Sequence, residues 1–337
     1  MTPNRPLLSV LDLAVVTAGA TSTEALAATT DVARAADRLG YHRFWVAEHH
    51  NMPTVASTSP SVLIAHLAAS TTRIRVGSGG VMLPNHSPLA VAEQFALLEA
   101  LHPGRIDLGI GRAPGSDRST AAVLRRGAVE TIDSFPGDLL DVMGLLGDVR
   151  ISDGLWQRFR ATPVATTSPL IALLGSSDYS ARLAGRLGIP FAFAHHFDIG
   201  GTSEAVTLYR QAFVPTERFP EPYVIVTASA IAADTAGHAE FLSGPSRLRR
   251  LGIRTGRHMP LLPPDEAARH PDMAGALSMP SNHIAGTPNE VAAALGALAG
   301  RLGSAELMIA TTTYDPADRI RNLELIAAAM ARPVPTS

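Results

Sequence analysis

The chain has 337 residues, 46% of them apolar, enough for two ordinary domains or one large barrel. Its 28 basic and 30 acidic side chains leave a formal charge of −2, so no cationic excess drives binding to nucleic acid or to an anionic membrane. Cysteine and lysine are both absent, which excludes disulfides, thiolate nucleophiles, Cys-ligated zinc, iron–sulfur clusters, Schiff-base lysines and Walker-type phosphate loops.

In chain order, residues Met1 to Val16 hold one arginine and an apolar run that Asp12 interrupts; this reads as a strand and not as a signal peptide. No run of about 18 apolar residues follows anywhere, so a soluble, cytoplasmic protein is expected. Strands are predicted at Leu7–Asp12, Arg43–Ala47, Ile74–Val81, Ile106–Ile110, Leu170–Leu174, Phe191–Ala194, Tyr223–Ala228 and Glu306–Thr312. Segments of helical period separate them. Glu24–Leu39 offers Leu26, Val32, Ala33, Ala36 and Leu39 as a buried stripe and stops at Gly40. Ser59-Pro60, Ser87-Pro88 and Thr287-Pro288 read as helix starts, the last with a capping box to Glu290. Eight strands alternating with helices argue for a single α/β domain over residues 1–337, a (β/α)₈ barrel with loop and helix insertions. A doubly wound open sheet competes, but the glycine fingerprint of dinucleotide folds is missing after the first strand. Residues 113–165, with Pro114, Gly115, Pro136 and Gly137, read as an extended loop plus helices. Residues 243–283, rich in Pro and Gly with five arginines between Arg247 and Arg257, read as a loop that is either merely solvated or a mobile cover over a site.

In such a barrel the chemistry lies at the C-terminal ends of the strands. The ends here carry Glu48-His49-His50-Asn51, Gly77-Ser78-Gly79-Gly80, Gly109-Ile110-Gly111-Arg112, Gly175-Ser176-Ser177 and His195-His196. Neighbouring side chains on a strand point to opposite faces, so at most one of each His–His pair could reach a shared ion, and no metal is expected. Alternation from Trp45 and Ala47 turns His49 to the barrel interior. Ser176, Ser177 and Ser180 surround a helix N-terminus where free N–H groups and the dipole attract a phosphate, and Arg112 can add a cationic fork. Ordinary serine capping explains the same spacing equally well. Gly79-Gly80 would permit close approach of a flat ligand to the backbone.

The segments Tyr41–Asn51, Arg75–Pro84, Gly104–Arg112, Leu174–Ala181, Phe191–Phe197, Gly286–Val291 and Thr313–Pro316, taken in order, resemble the bacterial luciferase-like flavin-dependent monooxygenases. The resemblance implies a (β/α)₈ barrel holding reduced FMN at the strand C-termini. It matches His49 to the family's catalytic histidine, assigns the FMN phosphate to Arg112, Ser176, Ser177 and Ser180, sets Gly79-Gly80 where the family has a cis peptide beneath the flavin, and puts His195 beside the ring. It further implies FMNH₂ supplied by a separate NAD(P)H-dependent reductase, O₂ as co-substrate, a flavin C4a-(hydro)peroxide, an organic acceptor that is hydroxylated, epoxidised or oxidised in Baeyer–Villiger fashion, and a homodimer paired through helices such as Pro88–Leu101. Gly111 replaces the reactive cysteine of luciferase, so light emission is not implied. Deazaflavin-dependent hydride transfer, with the Arg247–Arg257 cluster taking an acidic cofactor tail, and a non-catalytic FMN-binding protein are the alternatives.

Overall fold

Strand pairing closes a barrel. In a computed structural model, which describes residues 5–113, 117–124, 134–197, 201–257 and 259–331, nine parallel strands run at Leu7–Asp12 (β1), Arg43–Val46 (β2), Arg75–Met82 (β3), Ile106–Gly111 (β4), Leu170–Gly175 (β5), Phe191–Phe193 (β6), Val224–Ala232 (β7), Ile284–Gly286 (β8) and Glu306–Ala310 (β9). Eight of them form the closed ring β1-β2-β3-β4-β5-β6-β7-β9, with β9 pairing back onto β1. These eight are the strands expected from the sequence. The ninth, β8, was not expected; it pairs Ile284–Gly286 with Ala230–Ala232 and so extends only the far end of β7.

The described helices are Ser22–Leu39 (α1), Pro60–Ser70 (α2), Pro88–Leu101 (α3), Arg118–Leu124 (α4), Phe135–Leu145 (α5), Asp178–Leu187 (α6), Thr202–Ala212 (α7), Ala236–Arg254 (α8), Pro264–Arg269 (α9), Met273–Ser278 (α10), Pro288–Leu302 (α11) and Pro316–Ala331 (α12). Local chemistry fixes their ends. The Glu24 carboxylate accepts from the backbone N–H of Thr21 at 2.7 Å, and α1 stops at Gly40 with φ +79°. Glu290 accepts from Thr287 N–H at 2.8 Å in the same way. Ser59 and Ser87 precede their prolines without a side-chain capping bond. Leu39, expected in the buried stripe, is exposed at 37% because α1 is already ending there.

Side-chain alternation divides the interior. Val10, Phe44, Val76, Leu108, Phe191, Val226 and Leu307 point outward into the layer between strands and helices. Leu11, Trp45, Ala172, Ala192, Ile225 and Met308 point inward. The lower end of the barrel, near the strand starts, is filled by ions. Arg43 Nε donates to both oxygens of Glu306 at 2.8 and 2.9 Å, and its Nη1 donates to Asp107 at 2.9 Å. Asp107 also accepts from Arg75 Nε at 2.8 Å and Trp45 Nε1 at 3.0 Å, while Glu306 accepts from Tyr223 Oη at 2.8 Å and from Ser9 Oγ. Burial would raise the Asp107 carboxyl, but the two flanking guanidinium groups and the bonds they donate hold it below its ordinary value.

Residues 243–283, expected as a loop, are largely helical: they hold the second half of α8 together with α9 and α10. Of the other irregular region, Pro114 and Gly115 lie outside the described residues, and Pro136 and Gly137 sit in the first turn of α5.

A Cβ placed on Gly77 would lie 2.5 Å from Asp107 Cβ, 2.6 Å from Asp107 O and 2.8 Å from Trp45 Nε1. Gly77→Ala should therefore disturb the charge network and lower stability by about 1–3 kcal/mol, the usual cost of overpacking a well-filled core. Chemical denaturation checks this; an unchanged midpoint would mean that the network can shift without loss.

Candidate active site

The upper end of the barrel gathers the polar residues that the strand-end rule singled out. Beyond β2, the His49 N–H donates to Ser57 O at 3.1 Å, which fixes the loop, and Asn51 adopts φ +53°, a region that asparagine tolerates better than most residues. His49 is half-buried, and its Nδ1 is buried without a partner. Burial lowers its pKa; the Glu48 backbone pulls the other way, and the nearby Arg249 guanidinium lowers it again. The imidazole is therefore neutral at neutral pH, with one ring nitrogen unengaged.

Glu48 faces away from His49 and is fully buried. One of its oxygens, Oε1, lies 2.7 Å from His50 Nε2 and 2.8 Å from His86 Nε2, and Oε2 accepts from Met82 N–H at 3.0 Å. Burial raises the Glu48 carboxyl, but the donors from His86, His50 and Met82 outweigh it and hold the group below its ordinary value. The ligand atoms of the three side chains lie within 4.8 Å of one another. Both imidazoles meet the same oxygen at hydrogen-bond distance, so the arrangement is that of a carboxylate orienting two rings. Glu48 and His50 are two apart and so share a face, a signal the sequence carries. His86 arrives from the turn after β3, and no local pattern announces it.

At the end of β4, the Arg112 guanidinium lies 4.5 Å from the centroid of the Tyr179 ring, in the first turn of α6. This contact joins Arg112 to the helix start that carries Ser176, Ser177 and Ser180. Ser177 is the N-cap residue of α6, and its side chain makes no capping bond, contrary to the ordinary serine-capping reading. Ser180 is buried; a Cβ on Gly175 would lie 2.6 Å from Ser180 Cβ, so glycine is required there. Tyr179 was not singled out from the sequence, because a lone tyrosine on an exposed helix start carries no pattern.

The peptide between Gly79 and Gly80 is cis. A Cβ on Gly79 would lie 2.7 Å from Leu11 Cδ1, and one on Gly80 would lie 2.8 Å from Gly109 O. Gly80 thus answers first to the close approach of β3 to β4, whereas Gly79 faces the movable end of the Leu11 side chain. His195 sits in a short turn after β6, buried, with Nδ1 2.7 Å from Thr202 Oγ1. His196 beside it is driven down to about 4 by burial, against the Thr227 backbone contact, and by the charges of His195 and Arg250.

The 243–283 segment is tied over these strand ends. His283 bridges Ser229 Oγ of β7 at 2.7 Å and Ser243 Oγ of α8 at 2.8 Å, and Ala18 N–H after β1 donates to Leu261 O at 2.8 Å. Asn282 Nδ2 donates to His195 O at 3.3 Å.

A parallel barrel with this constellation at its C-terminal face is matched over residues 8–305 by the profile of the luciferase-like monooxygenases. The chain is 41% identical over 329 residues to a luciferase-like monooxygenase of Escherichia coli, covering 96% of this chain and 97% of that one. It is 34% identical to the N-acetyl-S-alkylcysteine monooxygenase of Bacillus subtilis, covering 96% and 98%. The solved structure of apo-MsnO8 superimposes with a TM-score of 0.87 at 36% identity, covering 97% and 98%. The oxygenating constituent of 3,6-diketocamphane monooxygenase from Pseudomonas putida, a type II Baeyer–Villiger enzyme solved with FMN, shares the fold with a TM-score of 0.73 at 20% identity, covering 97% and 98%. The chain belongs to the luciferase-like monooxygenase family and is an oxidoreductase of the monooxygenase class. Among the described residues, no helix is long and apolar enough to cross a membrane.

Arg249 carries the positive charge that presses on His49. Arg249→Gln should raise the His49 pKa, because it removes a charge that repels the imidazolium. An NMR titration of the ring nitrogens measures this; an unmoved midpoint would take Arg249 out of the neighbourhood of His49.

Proposed function

We propose that the chain is the oxygenating component of a two-component system, taking reduced FMN from a separate NAD(P)H-dependent flavin reductase and inserting one atom of O₂ into an organic acceptor. The observation that supports this most is the meeting of Arg112 with the first turn of α6, on the same barrel face as His49 and His195. A phosphate needs a guanidinium, free backbone N–H groups and hydroxyl donors, and Arg112, Ser176, Ser177 and Ser180 offer that set. In this reading Gly79-Gly80 underlies the flavin and His195 flanks it. When bound, the reduced flavin supplies the two electrons that activate O₂.

The protein's own residues then keep water out and manage protons. His49 is neutral, has a free Nδ1, and serves as the general base or acid beside the acceptor. Glu48 holds His50 and His86 fixed behind it. The names of the relatives, one acting on an N-acetyl-S-alkylcysteine and one a Baeyer–Villiger enzyme, support oxygen transfer to sulfur or carbon of a small organic molecule.

The active form is a homodimer paired through α3. That helix buries Val91, Phe95 and Leu98 against the barrel but leaves Leu97 at 49% and Leu101 at 60% exposed, an apolar strip that a second copy would cover. Sedimentation should show the dimer at micromolar concentration, and a monomer alone would refute it.

Two substitutions separate binding from chemistry. Arg112→Ala should weaken reduced FMN by about 1.5–3 kcal/mol, the worth of a hydrogen bond to a charged group, in an anaerobic titration. His49→Ala should leave that affinity within about threefold while lowering incorporation of heavy-isotope O₂ into product by about 10²–10⁴, with hydrogen peroxide rising in step. Full product yield from a folded His49→Ala protein would end the catalytic assignment.

A further inference from the structure

The second half of α8 brings three arginines, Arg247, Arg249 and Arg250, to the barrel mouth within a single turn. Their charges reach the site histidines: Arg249 bears on His49, Arg250 on His196, and both Arg247 and Arg250 on His283. Among the described residues neither Arg249 nor Arg250 has a carboxylate partner. Arg250 donates to Ser281 Oγ at 2.8 Å, and its Nη2 is buried with no partner at all. Arg247 pairs through Nη2 with Glu240 at 2.8 Å, yet its Nε is likewise buried and unengaged.

These three arginines are half-buried; the fully buried guanidinium groups are answered by carboxylates, and the half-buried Arg105 by backbone carbonyls and a hydroxyl. Arg43 is matched by Glu306 and Asp107, and Arg319 by Asp12. Leaving a buried N–H donor of a cation unmet costs free energy that a native fold ordinarily avoids, because desolvation is not returned by any new bond. At the mouth of a catalytic barrel, beside a neutral histidine, the half-buried Arg249 guanidinium without a protein partner and the unmet donors of Arg247 and Arg250 together suit an anionic ligand. We propose that the acceptor carries an anionic carboxylate-class group, which Arg249 and Arg250 grip with support from Arg247, leaving its oxidisable atom turned toward His49. The proposal rests on the oxygen-transfer reading above and adds the substrate class to it.

The same cationic group could instead serve a cofactor, either the FMN phosphate or the acidic tail of a deazaflavin. The test separates these sources. The full chain is titrated calorimetrically with butanoate, hexanoate and octanoate, and with the matching primary amides, without reduced flavin or O₂. The expected result is that an acid binds at least about tenfold more tightly than its amide, and that Arg249→Gln combined with Arg250→Gln abolishes the preference. Arg249→Lys with Arg250→Lys should restore part of it, which guards against mere misfolding, and the FMN affinity of both double variants should stay within about threefold of the parent. Equal binding of acids and amides, or no binding of either, overturns the proposal. So does a glutamine variant that keeps the acid preference, or one that loses FMN or deazaflavin affinity tenfold with acid binding unchanged. Because no turnover is read, a failure of oxygenation would leave this result standing, and a failure here would leave oxygenation standing.

Discussion

Asp107 and Glu306 are carboxylates with no exposure, and the barrel is built around them. Two buried anions inside a ring of strands are costly unless every lone pair is met. Arg43 spans both, Arg75 and Trp45 complete Asp107, and Tyr223 and Ser9 complete Glu306. Five of the eight barrel strands, together with Tyr223 just before β7, thus contribute to one network, and Gly77 leaves the gap into which Asp107 and Trp45 fit. The network specifies register as well as closure. A one-residue slip of β2 would turn Arg43 to the helix side, leaving Glu306 without its cation and Asp107 with Arg75 alone.

The same alternation sets the polarity of the two ends. The floor is charged but internally neutralised. The mouth is the reverse, because His49, His196 and His283 are held neutral by burial and by neighbouring cations, with His283 pushed down to about 3. Ions that answer each other make a scaffold, and ions left unanswered make a binding surface. Overall charge conceals this, since a formal value of −2 says nothing about a positive patch at one rim.

Much of this was legible in the sequence where the physics is local. Ile106–Gly111 alternates cleanly, Arg43–Val46 is apolar after its first residue, and helical periods with start or stop signals separate such runs, so the eight barrel strands could be read without a partner. Strand β8 could not, because three residues carry no period and it exists only as an extension of β7. Helix α8 was obscured by Pro245, which reads as a helix stop but is accommodated inside it. In the site, the rule that strand ends converge was enough to single out His49, Arg112 and the serines. His86, Tyr179 and Arg249 come from a turn, a helix start and a distant helix, and only tertiary contact reveals what each one touches. The glycine pair was legible for a partly different reason than the one Gly80 serves: a Cβ there meets the Gly109 backbone, so strand packing requires glycine before any ligand does, whereas one at Gly79 meets the movable end of Leu11.

The division between floor and mouth explains why the residues after β7 are arranged as they are. A segment whose only task was to cover apolar strand ends would present leucines, and α8 does bury Leu242 and Leu248. Between and beyond them it carries Arg247, Arg249 and Arg250 toward the histidines, and the His283 bridge to Ser229 and Ser243 ties the helix to β7. Burying Arg249 and Arg250 has a desolvation cost, visible in the lowered pKa of both, and Arg247 and Arg250 add to the burial that lowers His283. An anion in the mouth would offset that cost, since it meets the guanidinium donors and also counters the Arg249 charge that adds to burial in suppressing protonation of His49. On the proposed reading, an acidic ligand and a proton at His49 are coupled through Arg249, so that occupancy of the mouth would ready the imidazole to act as an acid.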